Sequence, residues 1–73
     1  MADEIVEAPA AGKVLRVYAE VGKPIADGDR ICVLEALKME LPIVAPVSGT
    51  VKSLNVTAGQ AVEAGDTLAV IEA

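Results

Sequence analysis

The sequence has no histidine, phenylalanine or tryptophan, one cysteine and one tyrosine. Each absence removes a class of chemistry. Without histidine there is no side chain that ordinarily titrates near neutral pH to act as a general acid or base. With no histidine and Cys32 alone, the usual nitrogen and sulfur donors cannot assemble a metal site. A single cysteine also forbids an internal disulfide, which makes a reducing compartment, the cytoplasm, the expected setting. With Tyr18 as the only aromatic, base stacking has almost nothing to use. No apolar run approaches the roughly 20 residues that span a bilayer, and Met1 to Glu4 lacks a basic-then-apolar signal pattern. The six basic residues are scattered under a net charge of −5. That disfavours nucleic acid and anionic membranes, and suits solubility and a basic docking partner.

What is present is a short apolar chain. Its 73 residues are 53% hydrophobic, and they make one small domain. A domain this size hides only about 60% of the surface of its unfolded chain, so its stability margin is thin. Residues 1–4 are expected to be a frayed tail and residues 5–73 the domain.

The domain repeats itself. Shifted by 37 residues, positions 5–36 lie on 42–73 without a gap, with 10 identities in 32 positions. Ala8-Pro9 falls on Ala45-Pro46, Gly12 on Gly49, Gly22 on Gly59, and Gly28-Asp29 on Gly65-Asp66. A unit repeated only twice is too few for a solenoid, which needs about three. It implies two interlocked halves related by a pseudo-two-fold axis. In each half a glycine opens a short strand, Gly12–Val17 or Gly49–Leu54. A glycine turn and a short apolar segment at Ile25 or Val62 follow. Then come the turns Ala26-Asp27-Gly28-Asp29 and Glu63-Ala64-Gly65-Asp66, and closing strands from Arg30 and Thr67. Alternation places Ile31 and Val33 on one face, Cys32 and Leu34 on the other. Recurrent glycine and proline leave no room for a long helix. The expected fold is all-β, about eight short strands in two four-stranded halves.

Leu37, Lys38, Met39, Glu40 and Leu41 fall outside the repeat and link its halves. Strand 30–36 enters, the chain reverses, and strand 39–44 leaves. This reading places residue 36 near residue 42 and hence residue 73 near residue 5. Both ends of the domain then lie together, opposite Lys38. Two apolar residues flank the lysine where a hairpin tip normally takes Asn, Asp or Gly, and such exposure costs something unless a partner covers it. The serines and threonines have no identifiable activating base. Cys32 matches Ala69 and reads as a small buried residue. Asp27, Asp29 and Asp66 belong to turns. The chain is therefore not expected to be an enzyme, and Lys38 is the one candidate site.

Glu35-Ala36-Leu37-Lys38-Met39-Glu40 resembles the E-A-M-K-M-E biotin-attachment motif of biotin carboxyl carrier domains. Ala45-Pro46-Val47-Ser48-Gly49-Thr50-Val51 is similar to the family's A-P-x-x-G-x-V element, and Gly59 to Val62 and Gly65 to Leu68 to its G-x-x-V and G-D-x-L elements. The lysine stands 35 residues before the end of the sequence, as is typical of such domains. The resemblance covers residues 5–73. It implies a flattened β-barrel (a barrel-sandwich hybrid) of two four-stranded halves, with covalent biotin on Lys38. Glu35, Ala36, Leu37, Met39 and Glu40 would be the flanking recognition residues. Leu37 departs from the usual Met, a swap close in volume but less adaptable. The gapless repeat leaves no room for the protruding loop found in some members.

The resemblance also implies the partners. A biotin protein ligase would attach biotin to the amine; a lysine amine ordinarily titrates near 10.4, so the ligase must help remove a proton. A biotin carboxylase would load the arm, and a carboxyltransferase or decarboxylase would unload it. Two other readings are weighed. Lipoyl domains share the fold, but their lysine commonly lies between Asp and Ala. An unmodified structural or docking barrel would have no use for the intact motif.

Overall fold

The computed structural model describes residues 3–73. Eight strands follow in order: β1 (Asp3–Glu7), β2 (Gly12–Val17), β3 (Pro24–Ile25), β4 (Arg30–Ala36), β5 (Met39–Val44), β6 (Gly49–Leu54), β7 (Ala61–Val62) and β8 (Thr67–Glu72). Residues 3 and 4, expected to be frayed, are strand. Asp3 and Glu4 pair with Glu72 and Ile71 as the start of β1, because the outer edge of β8 offers them backbone partners; residues 1 and 2 lie outside the described residues.

The strands form two antiparallel four-stranded sheets, ordered β1-β8-β6-β3 and β5-β4-β2-β7. Shifting every strand by one half-repeat converts the first order into the second, so the pseudo-two-fold relation holds strand by strand. Each sheet draws two strands from each half. Among the described residues no strand pairing joins the edges of the two sheets, so the barrel is flattened into a sandwich. Its interior is filled from both sheets, with Val14, Ile31, Cys32, Leu34, Val51, Leu68, Ala69 and Ile71 almost wholly buried.

The four turn glycines Gly22, Gly28, Gly59 and Gly65 have φ between 85° and 91°, the left-handed region that glycine enters without penalty. Asp29 and Asp66 brace their turns, accepting hydrogen bonds from the backbone N–H of Ala26 (3.0 Å) and Glu63 (2.8 Å). Gly12 and Gly49 are glycine for another reason. A Cβ on either would overlap the carbonyl oxygen of Glu35 or Glu72.

The alternation expected along β4 fails at a bulge. Ile31 and Val33 do not share a face. The register of β4 against β5 slips between Arg30 and Cys32, and this bulge turns Ile31 inward beside Cys32 and Leu34 in the core, while Val33 lies outside that cluster. A bulge adds a residue to one strand and so flips the phase of the side chains on one side of it. The second half repeats it: the register of β8 against β1 skips Leu68, the counterpart of Ile31.

Candidate carrier site

β4 and β5 are joined by only two residues. Ala36 pairs with Met39, Glu35 with Glu40, and Leu34 with Leu41. Ala36 therefore lies opposite Met39 and not residue 42, because the turn is as tight as a hairpin allows. By the same symmetry Asp3 lies opposite Glu72, so the first and last strands, β1 and β8, are neighbours, as expected, in a register three residues tighter. β1 leaves that end and leads to Gly12, which lies against Glu35; β5 leaves the hairpin and leads to Gly49, which lies against Glu72. The hairpin and the β1–β8 ends thus occupy opposite ends of a molecule measuring 35 × 19 × 18 Å.

The turn is Leu37-Lys38, with φ of 54° and 61°. Two successive left-handed residues are the requirement of a type I′ hairpin turn, whose twist matches that of the strands. They are the only non-glycine residues with positive φ among those described. A side chain in this region costs about 1–2 kcal/mol, and such strain concentrates at functional sites. Leu37 is 86% exposed and Met39 61%; Lys38 is also exposed and makes no ion pair among the described residues. An amine on this apex is open to a reagent from solvent.

Four of the flanking residues, Glu35, Leu37, Met39 and Glu40, are exposed around it. Ala36 is not. It is 4% exposed, packed where the backbone of Gly12 passes, so its methyl group sets the close approach of β2 and β4 and offers no recognition surface. Cys32 is a free, buried thiol, and burial pushes its pKa up. Among the described residues no group of His, Cys, Asp or Glu gathers to hold a metal, and no helix is long and apolar enough to cross a membrane.

The model of the biotin/lipoyl family, described as "Biotin-requiring enzyme", matches residues 4–71. The chain belongs to this family. It is a biotin carboxyl carrier domain, itself non-catalytic, and biotin is its cofactor. It is 43% identical over 44 residues to the biotin/lipoyl attachment protein of Bacillus subtilis, covering 60% of each chain. It is 38% identical over 50 residues to human mitochondrial pyruvate carboxylase, covering 68% of this chain and 4% of the enzyme. Among solved structures, the urea carboxylase of Kluyveromyces lactis superposes with a TM-score of 0.89 at 33% identity, covering 99% of this chain and 6% of that one. The carrier domain thus spans a small fraction of the carboxylases it matches.

One feature of this sheet was not singled out by sequence patterning. A furrow of about 390 Å³, lined by Leu15, Arg16, Tyr18, Arg30, Val33 and Glu40, runs along the face outside the core. Its signal was a departure from the repeat: Ser53, Asn55 and Thr67 stand where the first half has Arg16, Tyr18 and Arg30.

Proposed function

We propose that Lys38 is the point of biotin attachment, and that the domain delivers the tethered arm between two active sites of a biotin-dependent carboxylase, decarboxylase or transcarboxylase. The observation that carries this is the exposed amine on a two-residue, left-handed turn, flanked by Leu37 and Met39 and remote from the β1–β8 ends. A biotin protein ligase uses ATP to activate the biotin carboxyl as its adenylate, and Lys38 Nζ gives up a proton and displaces AMP to form the amide. Leu37 and Met39 give the ligase an apolar contact that a solvated turn would lack, with Glu35 and Glu40 beside it. Once bound, biotin supplies a ureido nitrogen that takes up and releases a carboxyl group. The chain's own residues orient and present: the β4–β5 hairpin projects Nζ beyond both sheets, and the absence of histidine leaves no imidazole to act on the cargo. Tethering replaces tight binding by high local concentration at a biotin carboxylase and then at a carboxyltransferase or decarboxylase. The setting is cytoplasmic, consistent with a free thiol.

Co-expression with a biotin ligase, followed by intact mass measurement, tests the attachment. The expected result is a single biotinyl increment, lost in Lys38→Arg. A lipoyl increment from cells holding both ligases would favour a lipoyl carrier, and a folded chain without any adduct would leave only a docking barrel.

A further inference from the structure

The furrow begins beside the hairpin at Glu40 and ends at Tyr18 and Arg30. Its floor is Val33, 7% exposed. Its walls carry the only two arginines of the chain. Neither arginine nor Glu40 has an ion-pair partner among the described residues. The pseudo-two-fold axis supplies an internal control. Displaced by 37 residues, Glu40 corresponds to Asp3 and Leu15 to Lys52, and there Lys52 Nζ bonds Asp3 Oδ2 at 2.7 Å. The second half closes this position with an ion pair and lines the rest with Ser53, Asn55 and Thr67. The first half replaces the lysine with apolar Leu15, frees the carboxylate, and adds an aromatic ring and two guanidinium groups.

That set matches one chemistry. A cyclic urea fused to a thioether ring has a carbonyl that accepts from guanidinium, N–H groups that donate to a carboxylate, and an apolar remainder that packs on Val33, Leu15 and Tyr18. We propose that the furrow is a resting cradle for the head of the biotinyl arm, a proposal that rests on attachment at Lys38. The reach suffices. From the Ala36–Met39 pair to Val33–Pro42 is three ladder steps, about 10 Å at strand spacing, shorter than an extended lysine carrying a valeryl chain. The cradle shields the head from solvent and side reactions between deliveries, and the arm leaves it to enter an active site.

The test compares unmodified and biotinylated protein by ¹H–¹⁵N spectra after intact mass has shown one biotin per chain. The expected result is that amide shifts extend past residues 37–39 to Tyr18, Arg30 and Val33. Arg16→Gln with Arg30→Gln should confine the shifts to the hairpin. So should Leu15→Lys, which copies the closed second half by pairing with Glu40. A cradle occupied half the time should also slow streptavidin capture about twofold relative to these variants. Shifts that stop at the hairpin in a singly biotinylated chain, with equal capture rates throughout, would overturn the cradle. A glutamate-rich peptide that alone perturbs Tyr18 and Arg30 would overturn it too, assigning the furrow to an acidic partner. No biotinyl increment, or one surviving Lys38→Arg, removes the attachment reading and the cradle with it.

Discussion

Leu37 and Lys38 show function and local stability in conflict. The turn between β4 and β5 asks for Asn or Gly twice and receives neither. Leu37→Gly should relieve one left-handed side chain and stabilise the domain by about 1 kcal/mol, raising Tm by about 4–8 °C in a domain of this size. Calorimetry measures it, and an unchanged or lower Tm would show that the Leu37 backbone carries no strain. The glycines separate two causes. At Gly28, φ is 89° and an added Cβ meets nothing within 4 Å, so Gly28→Val costs conformational strain alone, about 1–2 kcal/mol. At Gly12 the added atom collides with backbone, so Gly12→Ala should cost about 1–3 kcal/mol through displacement of β2 from β4. Denaturant titration of the two variants checks both. The repeat made these glycines legible; only the structure divides them into positions of conformation and positions of contact. It likewise exposed Lys38 as the seam of the repeat while hiding the left-handed pair, because pattern reports which residues are unusual and not the dihedral angles they adopt.

At the scale of strands, β2, β4, β6 and β8 were legible from apolar runs opened by glycine, and β5 with its pairing to β4 from the seam of the repeat. The bulges were not. A skipped residue leaves composition and length unchanged, so an alternating reading carries through it in the wrong phase, as it does from Ile31 to Val33. The bulges are paired across the two-fold: Leu15 and Lys52 are skipped in β2 and β6, Ile31 and Leu68 in β4 and β8. Their energetic consequence is measurable. Ile31→Ala removes a fully buried side chain from the core and should cost about 2–5 kcal/mol. Val33→Ala, buried on the furrow side but outside the core cluster, should cost distinctly less, near the loss of two methyl groups, about 1–2 kcal/mol. Equal losses would mean that both side chains face the same interior and that the bulge does not redirect Ile31.

At the scale of the molecule, each sheet takes strands from both halves, so neither half contains a complete layer. β1 and β3 have β8 and β6 as their partners, and β4 and β2 have β5 and β7. The one covalent connection between the halves is the carrier turn, and it acts by making their association intramolecular. A chain severed between Leu37 and Lys38 should therefore behave as two dependent fragments. Residues 1–37 and 38–73, each alone at micromolar concentration, should lack cooperative unfolding and strand circular dichroism. Mixed in equal amounts, they should recover both, with a midpoint that rises with concentration because association now contributes to stability. In the intact chain and in the mixture alike Cys32, whose thiol is buried and pushed up in pKa by that burial, should resist alkylation, and it should react freely in the isolated fragment. A fragment that folds alone as a monomer would show that the interlocking of sheets is not what holds the domain together. Recovery on mixing would show instead that the core survives without the turn, and that two strained residues are kept at the seam for the sake of the amine they present.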